Sequence, residues 1–338
     1  SKSVWRWETL SEWDDVAEEA RVKNEEIHFG YLFGLMVEKG AEYPEDDPRR
    51  YFKYRVVFQG NNVKDQNWAV ALFNEMASTP ATLESSRMAD MYSCLPGNVV
   101  QGRDVEQAYL QAEMEGTPVY IMLPQELWTP EMFKMKCPVF RLEKALYGHP
   151  NSGVYWQKYC TKQVLQAGFK AIPGSNWPCC YFNHDTNMFL IVYVDDMKLS
   201  GPLDEMPNTW KKLSEVIKIV EPKGNSSSST NKFEGVHTFL GCEHQRVVRE
   251  VKCGPKGRET SRTFQCMVYN VQSSLERAIV KYEKAVEKAT GKLPKFKTVT
   301  TPFVDEDSRK CPARTNPDQG NFHECPSCFH TFLEGSYL

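Results

Sequence analysis

No apolar run in these 338 residues reaches the ~18 consecutive apolar positions that a membrane-spanning helix needs, so no membrane span is expected. The chain begins Ser1-Lys2-Ser3-Val4-Trp5, with neither an initiator Met nor a signal-peptide pattern, and reads as a non-secreted piece of a longer polypeptide. Its 11 cysteines lack regular spacing, which argues for free thiols rather than a disulfide framework. There are no internal repeats. A surplus of positive charge is missing too: 41 Lys and Arg stand against 44 Asp and Glu, a net of −3. What remains is a globular composition, 41% hydrophobic and 25% charged, with room for one large or two ordinary domains.

The most informative stretch is Tyr193-Val194-Asp195-Asp196. Met188-Phe189-Leu190-Ile191-Val192 precedes it, and Met197-Lys198-Leu199-Ser200 follows. A continuous run of β-branched and large apolar residues reads as a buried strand, which puts the two carboxylates at a hairpin tip. Adjacent acids at such a tip repel each other and cost solvation energy, and a divalent cation relieves both. Oxygen-only ligands suit Mg²⁺. The dipeptide alone also fits a polar turn, since Asp is a common turn residue.

A second acid follows another short apolar piece, in Val99-Val100-Gln101-Gly102-Arg103-Asp104-Val105. Val105, Ala108 and Tyr109 then recur at roughly helical spacing. Asp104 could simply cap that helical turn. If its strand neighbours the hairpin, three carboxylates converge, the arrangement that clamps two cations for in-line displacement at phosphorus.

With these acids in place, the stretch from about Tyr51 to Pro302 resembles the reverse transcriptase of Ty1/copia-type retrotransposons. Lys53-Tyr54-Arg55-Val56-Val57-Phe58-Gln59-Gly60 resembles that family's Lys-Ala-Arg-Leu-Val-Ala-Gln-Gly strand. Asp104 to Leu110 resembles its Asp-Val-Lys-Thr-Ala-Phe-Leu segment, and Val119 to Pro124 its Val-Tyr-Met-x-Gln-Pro strand. Leu142 to Gly148 is close to its Leu-x-Lys-Ala-Leu-Tyr-Gly signature. Tyr193 to Asp196 matches its active-site box, Phe239-Leu240-Gly241 its primer grip, and Thr298 to Pro302 the Ser-Thr-Pro after its thumb. Each motif is weak alone; their joint order and spacing make the match specific.

The resemblance implies an α+β right-hand polymerase with fingers, a ferredoxin-like palm of antiparallel strands backed by helices, and a helical thumb. It implies RNA-directed DNA synthesis with two Mg²⁺ ions, on an RNA template and a DNA primer or RNA–DNA hybrid, from deoxynucleoside triphosphates. The setting would be a cytoplasmic virus-like particle or the nucleus. Asp104 and Asp195 would bridge the metals, with the Val105 carbonyl as a further ligand and Asp196 beside them. Lys53 and Arg55 would hold the triphosphate; a strand puts both on one face, although two solvent-facing cations are the plainer reading. Tyr109 would exclude a ribose 2′-hydroxyl, or is only a core aromatic. Tyr193 would contact the primer terminus, as would Phe239, Leu240 and Gly241.

Departures exist. After Gly148 the family carries Leu-Lys-Gln-x-Pro-Arg-x-Trp, whereas this chain has His149-Pro150-Asn151-Ser152-Gly153-Val154-Tyr155-Trp156. The Lys and Arg are gone and the Trp is kept. An inactive remnant that at most binds nucleic acid is therefore the alternative. Another palm-type phosphoryl-transfer enzyme, such as a nucleotidyl cyclase, is disfavoured by the finger and primer-grip matches. No RNase H-like acidic pattern follows Pro302, and nothing resembles an integrase or protease.

Charge is unevenly spread. Residues 1–50 hold 7 Lys and Arg against 13 Asp and Glu, while residues 250–299 hold 11 against 5, where a thumb would grip duplex backbone. The divisions expected are residues 1–48 as an acidic extension and linker, 49–250 as fingers and palm, 251–302 as a helical thumb segment, and 303–338 as a tail. Helices are expected near 11–26, 82–95, 153–167, 208–220 and 274–290. The second would turn Leu83, Met88, Met91, Tyr92 and Leu95 inward. The last would open on a Ser273–Glu276 capping box and end at Gly291. Gly224 to Asn231 reads as a flexible loop. His323, Cys325, Cys328 and His330 are spaced too tightly for an ordinary tetrahedral zinc site.

Overall fold

The computed structural model describes residues 4–40, 46–73, 79–174, 177–220, 237–240, 242–253, 260–296, 322–324 and 331–333. Gly241, the Gly224–Asn231 insertion, Thr298 to Pro302, and Cys325, Cys328 and His330 of the tail lie outside them. Two compact units divide the chain, Ser1–Arg277 and Ala278–Leu338. In the second, a strand pair joins Phe322–Glu324 to Thr331–Leu333.

The first unit mixes α and β around three sheets. One is five-stranded and wholly antiparallel, in the spatial order Asn98–Asp104, Asp196–Pro202, Met188–Tyr193, Cys180–Asn183 and Lys170–Ala171. The apolar run Met188–Val192 is buried throughout because both faces of this sheet are covered. Met188, Leu190 and Val192 meet Trp156, Cys160 and Val164 of the helix Ser152–Gln166, and Met206, Trp210 and Leu213 of the helix Met206–Val216. Phe189 and Ile191 turn the other way, toward Ala89 of the helix Leu83–Ser93. Full burial of a side chain such as Leu190 or Ile191 stabilises the layer by about 1.5–3 kcal/mol.

The helix Leu83–Ser93 reverses the expected orientation. Leu83, Met88, Met91 and Leu95 are exposed, while Ser85, Ser86, Ala89, Asp90 and Ser93 are buried. Small side chains let the helix lie close on the sheet, and Asp90 meets a buried cation there, so its polar face is the inner one. Thr82 caps it by accepting the Ser85 amide.

The second sheet orders Ser11–Glu12, Pro138–Arg141, Val119–Met122, His28–Lys39 and Tyr51–Phe58, with Lys64–Asp65 also on His28–Lys39. Thus residues 1–48, expected as extension and linker, supply its longest strand. The N-terminal helix is shorter than expected, Trp13–Lys23, and packs Trp13 against Phe29 and Val139. The third sheet joins His237–Phe239, Cys242–Cys253 and Thr260–Asn270. Residues 251–270, expected within a helical segment, therefore belong largely to a long β-ribbon. The helix after it is Gln272–Thr290, where Asn270 Oδ1 accepts the Gln272 amide at its start; the Ser273 side chain of the expected box lies outside what the structure describes. Gly291, at φ +69°, ends it as expected.

Candidate active site

The strand register sets the geometry. Asp104 lies directly opposite Asp196 across the pair Asn98–Asp104 and Asp196–Pro202. Tyr193 pairs with the same Asp196 on its other side, so Val194 and Asp195 form a two-residue hairpin loop. The Val105 amide donates to the Asp195 carbonyl at 2.6 Å, tying the loop to the neighbouring strand. All three carboxylates are thereby gathered at one end of one sheet. Asp104 and Asp195 are exposed and Asp196 is half-buried.

Val194 stands at φ +55°, a left-handed conformation that costs a β-branched residue about 1–3 kcal/mol. The turn is held from below by the Trp156 indole Nε1–H, which donates to the Val194 carbonyl at 2.8 Å. Trp156 also lines a small cleft with Tyr109, Gly153, Gln157, Tyr181 and Val194.

Electrostatics reports the crowding of the acids. Burial, then the charges of Asp195 and Asp104, and a hydrogen bond with Asp104 push the Asp196 carboxyl up to about 6. An all-oxygen set with surplus negative charge fits a hard divalent cation. Among the described residues no three His, Cys, Asp or Glu side chains form a ready-made metal cage.

Tyr109 follows on the short helix Ala108–Gln111, half-buried, its ring 4.8 Å from that of Tyr147. Burial and the Asp195 charge raise its hydroxyl above the usual tyrosine range. Burial does the same to Tyr147, helped by Asp195 and opposed by Arg55. Lys53 lies two residues along the same exposed strand face; no contact ties it to the acids. The Tyr147-Gly148 pair of the signature has a backbone reason. The Phe58 amide donates to the Tyr147 carbonyl at 2.8 Å. Gly148, at φ +90°, passes so close to the Phe58 carbonyl that a Cβ would collide with it.

Of the altered stretch after Gly148, His149 and Ser152 are buried away from the acids. The His149 ring sits among Phe58, Phe73 and Tyr155. Burial, with the nearby His28, lowers its pKa to about 4. Ser152 Oγ donates to the Leu146 carbonyl and accepts its amide, closing the loop.

Phe239 is buried and Leu240, at φ +51°, is exposed at the turn after it. The Phe239 ring lies 4.8 Å from the ammonium of Lys198, which belongs to the strand leaving the acidic hairpin. Lys198 is fully buried and paired with Asp90 at 2.7 Å. Sequence reasoning missed Trp156, Tyr147 and Lys198 as parts of the site. A lone Lys inside the apolar run Met197–Ser200 was the one available signal for the last.

The description "Reverse transcriptase (RNA-dependent DNA polymerase)" belongs to the family whose model matches residues 43–243. Curated relatives are Gag-Pol polyproteins of Saccharomyces cerevisiae. That of transposon Ty1-DR4 is 27% identical over 202 residues, covering 54% of this chain and 12% of the relative. That of transposon Ty1-JR2 is 28% identical over 192 residues, covering 51% of this chain and 10% of the relative. The chain therefore spans about a tenth of the length of these relatives.

Proposed function

The chain belongs to the reverse transcriptase family, of Ty1/copia type, and from that premise we propose that it is an RNA-directed DNA polymerase domain adding deoxynucleotides to a primer 3′-hydroxyl. In this reading the five-stranded sheet with its helices is the palm, the six-stranded sheet the fingers, and residues 251–302 the thumb segment. The observation that carries it is the pairing of Asp104 with Asp196 across from Asp195 in the adjoining turn.

Asp104 and Asp195 would hold two Mg²⁺ ions with the Val105 carbonyl, and Asp196 would complete their negative field. When bound, such ions activate the attacking hydroxyl and neutralise the leaving phosphates. Arg55, with Lys53 beside it, is suited to a triphosphate because guanidinium donors match phosphate oxygens. Tyr109, its ring packed at a tilt against Tyr147, offers a wall against the sugar, which would exclude a 2′-hydroxyl sterically. Tyr193, with Phe239, Leu240 and Gly241, would seat the primer end. Template, primer and nucleotides are the partners implied. Among the described residues no helix is long and apolar enough to cross a membrane.

Extension of a DNA primer on an RNA template by the purified chain with Mg²⁺ tests this. The parent should extend, and Asp195→Asn, folded to the same melting temperature, should not. A folded parent that binds the hybrid without extending it would support the remnant reading, whose motivation is the loss of Lys and Arg after Gly148.

A further inference from the structure

Behind the candidate site lies a buried polar cluster that the metal chemistry does not use and of which only Phe239 belongs to a motif. Lys198 and Asp90 are both fully buried. The Lys198 Nζ lies 2.7 Å from Asp90 Oδ1, donates to Ser86 Oγ at 3.0 Å and sits 4.8 Å from the Phe239 ring centre. Asp90 Oδ2 in turn accepts from the Tyr269 hydroxyl at 3.0 Å and lies 3.1 Å from His244 Nδ1, which is also 3.3 Å from Lys198 Nζ. Three elements meet in these few contacts. Asp90 and Ser86 come from the helix Leu83–Ser93, Lys198 from the strand leaving the acidic turn, and Phe239, His244 and Tyr269 from the three-stranded sheet.

A buried ion pair is weak evidence for stability, because desolvation offsets most of its attraction. What it supplies is direction: each donor is satisfied in one relative placement only. Lys198 lies two residues from Asp196 on the same strand face, about 7 Å along the strand. Phe239 and Leu240 open the turn assigned above to the primer. The cluster therefore joins the two halves of the site that must agree, the metal-facing acids and the seat of the primer end.

We propose that Lys198, Asp90 and His244 are positioning residues that fix the primer-seating turn relative to the Asp195–Asp196 hairpin; this rests on the polymerase reading above. Their role is alignment of the reacting hydroxyl, not nucleotide binding and not fold stability.

Replacement of both charges by apolar groups of similar size, Lys198→Met with Asp90→Leu, separates these roles, since such swaps of buried pairs are often neutral for stability. The full chain is compared with its parent in melting temperature, in steady-state extension and in fluorescence of a 2-aminopurine placed at the primer 3′ end. With the melting temperature held, kcat should fall by about tenfold or more, because small misplacement of reacting atoms is costly. The KM for deoxynucleotide should stay within about twofold, and the terminal base should brighten as it loses its fixed stacking. His244→Ala should give the same pattern more weakly, and His244→Asn, which keeps a donor toward Asp90, should recover part of the rate. Parental kcat with a parental terminal signal in the folded double variant, or in folded His244→Ala should the double variant not fold, overturns the proposal and leaves the polymerase reading intact. A parent that never extends refutes the polymerase reading, and the positioning role falls with it.

Discussion

His149 should make the stability of this chain sag in mild acid, and its surroundings set the size of the effect. The ring is 5% exposed, enclosed by Phe58, Phe73 and Tyr155, with His28 nearby and its Nε2 unpartnered. Burial strips a charged imidazole of its water, and His28 opposes the charge further, so the pKa falls from 6.5 to about 4. Above pH 6.5 the ring is neutral in both folded and unfolded chains, and the full stability is present. As pH falls from 6.5 toward 4 the unfolded chain takes up the proton first, and stability is lost. That difference is worth about 3 kcal/mol in full. About 2 kcal/mol of it is expressed between about pH 7.5 and pH 5. The comparison is urea unfolding of the parent and His149→Phe at both pH values. The variant forfeits the Asn151 amide bond to Nδ1, so the absolute stabilities will differ, but the pH-dependent part belongs to the imidazole. The stability gap between the two proteins should shift by about 2 kcal/mol in favour of the variant on acidification. Parallel curves, with no shift in the gap, would refute the assignment of a buried neutral ring.

Asp196 works in the opposite direction. Its carboxyl is raised to about 6, so its contribution is full below the ordinary value of 3.8 and is lost as pH rises through 6. Asp196→Asn should therefore stabilise the metal-free chain above pH 6 by about 1 kcal/mol after allowance for solvent screening, and Mg²⁺ should raise the parent's melting temperature more than the variant's. Tyr109→Ala should raise the ratio of ribonucleotide to deoxynucleotide incorporation while lowering stability by only part of the ~3–5 kcal/mol typical of a fully buried aromatic; an unchanged ratio with a large loss in melting temperature would make Tyr109 packing alone.

The acidic hairpin was legible because two signals coincided there. Met188–Val192 could only be a strand covered on both faces, and Asp104 followed a second, shorter apolar piece. The helix Leu83–Ser93 misled because periodicity marks which residues are apolar, not which face has a partner. Its inner face was decided by Lys198, more than a hundred positions away in sequence. His28–Lys39 escaped notice because an acidic neighbourhood masked a strand whose outer half is exposed. The support of Val194 by Trp156 was invisible in principle, since it depends on a backbone carbonyl turned inward by a left-handed residue. The ribbon Cys242–Cys253 with Thr260–Asn270 has the charged, irregular composition of a solvent-facing pair, which carries little periodic signal.

The strand His28–Lys39 also bears on how the chain is made. Its inner edge is completed by a parallel neighbour, Val119–Met122, and that strand by Pro138–Arg141, which in turn holds Ser11–Glu12. On a ribosome, the first strands wait while some hundred further residues are translated, because parallel and long-range pairings cannot close earlier. Through that interval Phe29, Leu32 and Trp13 have no core to enter, and the edge of His28–Tyr31 is open to any extended peptide. Slowed translation ahead of Val119 would lengthen that exposure. Yield of folded protein should then depend on the speed of synthesis and on chaperone supply more than on equilibrium stability.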